Sequence, residues 1–466
     1  MKYLHLNEMM INIIKGKKVL CLVDGEHYPP VTRWALQELA DVGAEVKAIL
    51  FLGGTEKVKN AKKQLEDEKA NYKIYVSPHI TKIYTHIEEI IRKDQFDTVV
   101  DLSDEPVVDY MKRFRLASRI MKNNLDYLGA DFYFKAPVST SLLQKPSIAI
   151  IGTGKRIGKT AIGVSIARIL KKNKIMPVVV CMGRGGPEKP DLIDTDKMNL
   201  SAETLMEVVK KGGHAASDYW EDAFLAGVPT IGCRRCGGGM AGNPFVSNVH
   251  QGVSIANKMK QKLVIMEGSG STFPPVQTDK RIVLIGANQP LSKILHYLGQ
   301  YRIMISDFAI VTMCEEPMAD KKKLEKIKKG IKKINPEIKM ILTKLRPEPL
   351  QDISHKKVFF TTTASEVIRD KIINYLEQEY SCEIVGYSSH LSNRKKLKKD
   401  LEKGLEKADV LLSEIKAASI DVASTMAAKK KVEVIYLHNK PVYVDGDIRD
   451  LDNYIVNMAK QIVRRE

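Results

Sequence analysis

The sequence predicts an α/β fold built on parallel β-sheets. Short apolar strands alternate with amphipathic helices along most of the chain, which is the pattern of repeated strand–helix–strand units. One apolar strand, at 147–151, runs directly into a glycine-rich turn and then into a helix. No uncharged apolar run reaches about 18 residues, the length that a membrane-spanning helix needs, so we expect no transmembrane helix.

The composition is that of a large globular protein. The chain has 466 residues, of which 44% are hydrophobic, and at ~150 residues per domain this length suggests about three domains. Such a hydrophobic fraction excludes disorder for most of the chain. Residues 1–18 contain no sustained apolar segment before a small-residue cleavage site, so we expect no secretory signal. The 6 scattered cysteines are typical of reduced thiols, which favours a cytoplasmic location.

The N-terminal residues, 1–145, predict a small α/β domain. Strands are expected at 18–23, 44–52 and 96–102, with helices at 31–42 and 106–122. The turn-rich sequence after residue 135 marks the expected domain boundary.

Residues 146–362 predict a second α/β domain, and residues 363–466 repeat the alternation more weakly. Strands of the second domain are expected at 147–151, 176–182, 228–232, 262–267, 281–285, 304–313 and 338–343. In the last part, helices are expected at 364–379, 418–428 and 448–464, and strands at 383–387, 408–412 and 432–436. The pattern leaves open whether this C-terminal region is a third domain or extends the central sheet.

The chain is strongly basic, with 74 Lys and Arg against 56 Asp and Glu and a net charge of +18. A basic balance fits nucleic acid, an anionic membrane surface or a densely anionic small substrate. It also fits the charged surfaces of thermophilic proteins. Two lysine-rich runs, 321–333 and 394–403, have Leu or Ile at helical spacing and no interleaved aromatic residues. They favour helices with solvated basic faces over a nucleic-acid groove.

The glycine-rich turn predicts a phosphate-binding loop. Backbone N–H groups at the start of the following helix attract phosphate oxygens, Lys159 can reach the β- and γ-phosphates, and the Thr160 hydroxyl can bind Mg²⁺. Five residues separate Gly152 from Gly158, where the strict motif has four. The expected nucleotide-binding residues are Gly152, Thr153, Gly154, Lys155, Arg156, Ile157, Gly158, Lys159, Thr160 and Ala161.

A carboxylate at the end of a neighbouring strand should complete a Mg²⁺ site. Glu267 ends the apolar strand 262–267, just before a glycine turn, so we expect Thr160 and Glu267 to hold the metal. A solvent-exposed strand-end glutamate is the alternative. Asp218 and Asp222 either assist at the metal or begin a surface helix.

Candidate substrate ligands follow several predicted strands. Guanidinium groups bind phosphates in a fork geometry, and loops after parallel strands share one edge of the sheet. The candidates are Asp24, Glu26, His27, Arg184, Arg234 and Arg235. The alternatives are exposed loop cations for the arginines and turn capping for Asp24 and His27.

The pair Cys233 and Cys236 forms the one CxxC motif of the sequence. A structural zinc site needs a second such pair or suitably spaced histidines, and His214 and His250 lie far away along the chain. The dense glycines at 237–242 favour a shaped loop over a metal site.

The phosphate loop and the later Glu267-Gly-Ser-Gly270 resemble the dethiobiotin-synthetase branch of P-loop enzymes over about 147–345. As a whole, the chain resembles the cyclic 2,3-diphosphoglycerate synthetases of thermophilic methanogenic archaea. The resemblance rests on segments 23–30, 152–160, 182–190, 232–242 and 266–270. It implies a parallel-sheet P-loop NTPase core with an N-terminal α/β domain and a C-terminal α/β extension.

The resemblance also implies a reaction. ATP and 2,3-diphosphoglycerate give ADP, phosphate and cyclic 2,3-diphosphoglycerate, a thermoprotective solute, with Mg²⁺ as cofactor and K⁺ left open. Lys159 and Arg156 are expected to stabilise charge as the γ-phosphoryl group moves. We expect a homodimer that binds neither nucleic acid nor membrane. Two alternatives stay open: a ligase that activates another acid, and a nucleotide-switch ATPase that binds nucleic acid.

Overall fold

A computed structural model describes residues 8–54, 58, 60–66, 72–77 and 82–463 and divides the chain into two compact units. The first unit is Met1–Pro137 with Leu291–Ile305, and the second is Val138–Pro290 with Ser306–Glu466. The first seven residues of the segment that we inspected for a secretory signal lie outside the described residues. The predicted α/β class is confirmed.

The strands range from 2 to 14 residues in length. They are β1 Lys18–Val23, β2 Glu45–Phe51, β3 Lys73–Val76, β4 Thr98–Asp101, β5 Asp126–Gly129, β6 Phe132–Phe134, β7 Ser147–Gly152, β8 Pro177–Gly183, β9 Asp191–Ile193, β10 Thr230–Cys236, β11 Val246–Ser247, β12 Leu263–Glu267, β13 Lys280–Gly286, β14 Phe308–Thr312, β15 Lys339–Pro349, β16 Lys357–Thr361, β17 Glu383–Ser388, β18 Val410–Ser413 and β19 Glu433–Gly446.

The helices alternate with these strands. They are α1 Glu8–Ile14, α2 Pro29–Asp41, α3 Ala61–Leu65, α4 Ile83–Lys93, α5 Tyr110–Lys122, α6 Lys159–Lys172, α7 Ala202–Lys210, α8 Asp218–Ala226, α9 Val249–Lys258, α10 Leu291–Leu295, α11 Gly299–Met304, α12 Lys321–Ile334, α13 Arg369–Tyr380, α14 Arg394–Gly404, α15 Thr425–Lys429 and α16 Leu451–Val463. A π-helical segment, Ser419–Ser424, precedes α15. Within the described residues, no helix is long and apolar enough to cross a membrane.

Some predicted elements have different bounds in the structure. The expected strand 304–313 is wrong in its first part, because α11 continues to Met304 and β14 begins at Phe308. The expected helix 106–122 begins only at Tyr110, where the Asp109 side chain accepts a hydrogen bond from the Lys112 backbone, as an N-cap does. No strand was expected at β16, Lys357–Thr361, which pairs parallel with β17 and β18.

The described strands of the first unit form a sheet in the order β3-β2-β1-β4-β5-β6. All neighbours are parallel except β5 and β6. The chain leaves β1 toward β2 on one side, and β4 lies on the other side. This reversal creates a crevice at the carboxyl ends of β1 and β4, where parallel sheets commonly bind ligands.

The described strands of the second unit form a larger sheet, in which β7 lies between β12 and β13. Strands β10, β8, β12, β7, β13, β14 and β15 run parallel. Strand β19 pairs antiparallel with β15 and then parallel with β18. The C-terminal strands β16, β17 and β18 therefore continue the central sheet through β19.

Packing between β7 and α6 holds the loop that joins them at the carboxyl edge of this sheet. Ile148 and Ile150 of β7 are fully buried and pack in one cluster with Ile162 and Ile166 of α6. The predicted basic helix 321–333 is α12, which buries Ile327 and Ile331.

Candidate active site

The loop between β7 and α6 has the backbone shape of a phosphate cradle. Arg156 and Gly158 adopt left-handed conformations, with φ values of 57° and 78°. Such a conformation is costly for arginine but free of strain for glycine. A Cβ at Gly158 would also lie 2.8 Å from the Leu345 side chain. The loop therefore turns its backbone toward the start of α6, where N–H groups remain available for an anion.

A cavity of about 850 Å³ opens in the second unit beside this loop. Of the ten predicted nucleotide-binding residues, the eight from 154 to 161 line it. Gly152 and Thr153 do not line it. Gly152 ends β7, and the Thr153 hydroxyl donates a hydrogen bond of 2.5 Å to Gln289 while its backbone N–H donates to Leu284. Thr153 thus fastens the loop to β13.

Three cations converge on the turn Ser269–Gly270. Lys159 Nζ donates to the Gly270 carbonyl at 2.9 Å, and Arg235 Nη2 donates to the Ser269 carbonyl at 2.9 Å. A Cβ built on Gly270 would lie 3.0 Å from Arg184 Nη2, so this guanidinium is adjacent. Within the described part of the chain, none of the three cations forms an ion pair with a carboxylate. Their cationic groups therefore remain available to an anionic ligand.

Burial lowers the pKa of two of these three cations, Lys159 and Arg235. It lowers the pKa of Lys159 to about 8, although the nearby Glu267 carboxylate opposes the shift. Burial and the adjacent Arg184 guanidinium together lower the pKa of Arg235. An added anion would offset both effects, because it favours the charged form of each group.

Arg234 and Arg235 differ in their contacts although they are neighbours in β10. Arg234 Nε donates to the carbonyls of Gly186 and Pro187, at 3.1 and 2.8 Å. Its side chain is exposed and does not line the cavity. Arg234 therefore holds the turn that follows Arg184.

Beneath the cavity lies a buried group of potential metal ligands, Cys181, Asp222 and Glu267. One ligand atom from each lies within 4.8 Å of the others. Within the described residues, Glu267 Oε1 and both carboxylate oxygens of Asp222 have no hydrogen-bond partner. Burial raises the pKa of Glu267 to about 8, and burial likewise raises the pKa of Asp222.

This group fits a divalent cation, because buried carboxylate oxygens without donors need a positive partner and Mg²⁺ prefers oxygen ligands. Gly163 admits Glu267 to α6, since a Cβ there would lie 1.5 Å from Glu267 Oε1. Thr160 lies one helical turn earlier and lines the cavity. Asp222 is thus placed with Glu267, whereas Asp218 itself lines the cavity.

The predicted N-terminal ligands lie in the first unit, after β1. Asp24 is 1% exposed, and its carboxylate accepts hydrogen bonds from the Glu26 backbone at 3.0 Å and from His27 Nδ1 at 2.8 Å. It also accepts one from the Asp104 backbone after β4. Asp24 therefore caps the turn at the crevice between β1 and β4.

No site residue was expected after residue 267, yet C-terminal residues also line the cavity. They are polar and follow the parallel strands β16, β17 and β18 or lie in β19, and include Thr363, Ser365, Ser389, Lys416 and Asn439. Polar residues directly after short strands were the available signal. The C-terminal region thus forms one wall of the cavity.

Known proteins match this chain over nearly its whole length, and their descriptions agree with the resemblance inferred from the sequence. Family models of cyclic 2,3-diphosphoglycerate synthetase match here as an N-terminal domain at 18–135, a P-loop domain at 147–344 and a C-terminal domain at 349–440. The P-loop model confirms the predicted NTPase core.

Curated relatives carry the same description. The cyclic 2,3-diphosphoglycerate synthetase of Methanothermus fervidus is 47% identical over 96% of this chain and 98% of its own length. That of Methanothermobacter thermautotrophicus is 47% identical over 96% of both chains. That of Rubrobacter xylanophilus is 39% identical over 95% of this chain and 97% of its own. The chain therefore belongs to the cyclic 2,3-diphosphoglycerate synthetase family.

Proposed function

We propose that this chain uses ATP to join the two phosphate groups of 2,3-diphosphoglycerate into a cyclic anhydride, with release of ADP and phosphate. One observation carries the proposal: Lys159 of the phosphate loop meets Arg184 and Arg235 at a single turn, without carboxylate partners among the described residues. ATP alone needs the loop and its lysine. Two further guanidinium groups suit a second, densely anionic ligand.

The proposed nucleotide site is the loop at 154–161. Its backbone N–H groups hold the phosphates, and Lys159 reaches the β- and γ-phosphates. The base occupies the apolar part of the same cavity, beside Met313, Leu345 and Ile368. Gly152 and Thr153 support the loop from behind.

The proposed substrate ligands are Arg184 and Arg235, and Arg234 supports them by holding the turn that follows Arg184. Asp24, Glu26 and His27 remain proposed substrate contacts of the N-terminal domain, residues 1–145. Residues 146–362 form the proposed ATP-binding core, and residues 363–466 form its α/β extension.

In the proposed reaction, the γ-phosphoryl group of ATP passes to one phosphate of the substrate. The second substrate phosphate then attacks that activated phosphorus atom and expels inorganic phosphate. Both nucleophiles are ionised at neutral pH, so the protein mainly positions them. Lys159 and Arg156 stabilise the negative charge that develops during transfer.

Thr160 and Glu267, with Asp222, would hold Mg²⁺. The ion would supply charge neutralisation between the β- and γ-phosphates. In the same proposal the protein is a cytoplasmic homodimer that needs neither nucleic acid nor membrane, and K⁺ is an accessory ion to be tested.

Phosphorus NMR of the purified protein with Mg-ATP and 2,3-diphosphoglycerate tests the function. We expect the resonances of a cyclic anhydride to grow together with those of ADP and phosphate. Lys159→Ala should reduce product formation at least 1,000-fold, because it removes the positive charge at the transferred group. A wild-type protein that forms ADP without any cyclic product would refute the proposal, and near-normal synthesis by Lys159→Ala would refute the role of this lysine.

A further inference from the structure

Lys416 brings a cation from the C-terminal region to the cavity. It lies in the loop between β18 and the π-helical segment Ser419–Ser424. It lines the same cavity as Lys159, and its side chain is 29% exposed. Lys416 is therefore accessible to a ligand that occupies the cavity.

Lys416 pairs with Glu221, and against the effect of burial the carboxylates of Glu221, Glu414 and Asp218 together raise its pKa. Glu221 Oε1 lies 3.4 Å from Lys416 Nζ, which is beyond the usual range of a strong charge-assisted hydrogen bond. Glu414 accepts hydrogen bonds from Thr362, from the backbone and hydroxyl of Thr363, and from Asn439. Because an ammonium has three N–H donors, Lys416 retains capacity for an anion.

The ion pair with Glu221 places Lys416 beside α8. Its partner Glu221 belongs to α8, next to Asp222 of the buried carboxylate group. Lys159 and Lys416 therefore line one cavity from separate parts of the chain.

The backbone holds this loop in one conformation. Ala417 has a φ value of 49°, which is unfavourable for a residue with a Cβ. The Lys416 N–H donates to Ser419 Oγ at 3.0 Å, and the Ser419 N–H donates to the Lys416 carbonyl at 3.0 Å. Strained residues and π-helical turns are frequent at functional sites, so both features support a binding role.

We propose that Lys416 binds a phosphate group of 2,3-diphosphoglycerate, the one that Arg184 and Arg235 do not hold. This inference rests on the proposed function and assigns a substrate contact to the C-terminal region. Two phosphates that must approach each other repel strongly, and cations on two walls of the cavity offset that repulsion. Lys416 thus selects substrates that carry a second phosphate.

Steady-state kinetics of Lys416→Met, Lys416→Arg and Lys430→Met test the inference. Lys430 is a matched control, because its side chain is also 29% exposed and also pairs with one glutamate, Glu406. We expect Lys416→Met to raise the KM for 2,3-diphosphoglycerate at least tenfold and to change the KM for ATP less than twofold. In Lys416→Arg the KM for 2,3-diphosphoglycerate should stay within about threefold of the wild-type value. In Lys430→Met this KM should equal the wild-type value.

Two results would overturn the inference. One is a KM for 2,3-diphosphoglycerate that stays within twofold of the wild type in folded Lys416→Met. The other is an equal rise in both KM values, which would assign Lys416 to the nucleotide.

Lys416→Met leaves the buried Glu221 carboxylate without its partner, which can prevent folding. In that case the double variant Glu221→Gln/Lys416→Met removes this carboxylate charge, and the same two criteria apply to the double variant. Calorimetric titration with 2,3-diphosphoglycerate separates this inference from the proposed function. Binding that weakens tenfold in the variant supports Lys416 even where the wild type forms no cyclic product, and unchanged binding refutes it.

Discussion

The turn Ser269–Gly270 shows how single residues create a site for an anion. Lys159 and Arg235 donate to backbone carbonyls there, not to carboxylates. Backbone carbonyls orient these cations and leave their formal charge in place. Gly270 has a φ value of 63° and would bring a Cβ to 3.0 Å from Arg184, so glycine is required for the turn and for the close approach.

Replacing Arg184 should weaken substrate binding selectively. We expect Arg184→Met to raise the KM for 2,3-diphosphoglycerate about 20-fold or more, which corresponds to about 2 kcal/mol. Arg184→Lys should recover only part of this loss, because an ammonium lacks the guanidinium fork. Arg449→Met, which changes an exposed arginine outside this cavity, serves as the control in the same assay. An unchanged KM in Arg184→Met would contradict the assignment.

At the scale of elements, β19 joins the C-terminal region to the helix that follows the phosphate loop. His438 of β19 is 2% exposed, and its Nε2 lies 2.8 Å from Ser165 Oγ of α6. Arg168 of α6 also pairs with Glu348 of β15 at 2.9 Å. These contacts fix α6 against the strands that carry the C-terminal wall of the cavity.

The His438 contact makes stability depend on pH. Burial, with contributions from Arg168, Lys416 and Lys440, lowers the pKa of His438 from 6.5 to about 3. The unfolded chain therefore binds a proton below pH 6.5 that the folded chain does not bind until near pH 3, so stability falls as the pH falls through this range. Between pH 7 and pH 5 the wild type should lose about 2 kcal/mol more unfolding free energy than His438→Gln.

Urea denaturation of both proteins at pH 7, 6 and 5 measures this difference. His438→Gln keeps a neutral donor near Ser165 at every pH, so the comparison isolates the imidazole. Parallel loss of stability in the two proteins would show that His438 does not carry the effect.

At the scale of the whole molecule, the net charge of +18 divides into two populations. The lysines of α12 lie on a helix whose Ile327 and Ile331 are buried, and two of these lysines are paired: Lys328 with Asp445 and Lys332 with Asp447. In contrast, Lys159, Arg184 and Arg235 line or adjoin the cavity without such pairs in the described regions. We therefore interpret the lysines of α12 as a solvated surface, and the cations at the cavity as ligands of the proposed anionic substrate.

This division predicts that DNA does not serve as a cofactor. At about 0.15 M salt, 2,3-diphosphoglycerate should stimulate ADP formation and double-stranded DNA should not, because the basic helix lacks a groove or stacking residues. The triple variant Lys322→Gln/Lys326→Gln/Lys329→Gln, which neutralises exposed lysines of α12, should keep activity within twofold. DNA stimulation that this variant abolishes would favour a nucleic-acid-binding ATPase.

Local sequence patterns were enough to predict the parts of the protein that depend on neighbouring residues. The phosphate loop is one contiguous stretch between a buried strand and a helix, so its residues and their arrangement follow from local pattern. Glu267 could be paired with the loop because a strand end before a glycine turn lies at the same edge of a parallel sheet. The α/β class and the solvated basic helix also followed from periodicity.

Contacts between residues that are distant in the sequence could not be predicted in this way. Arg234 and Arg235 are equivalent in sequence, yet successive side chains of a strand point to opposite faces, and only Arg235 contacts the Ser269–Gly270 turn. Lys416 lies more than 250 residues after the phosphate loop in the sequence, and it reaches the cavity because β19 extends the central sheet. Such contacts depend on strand order across the whole sheet, which local patterns do not encode.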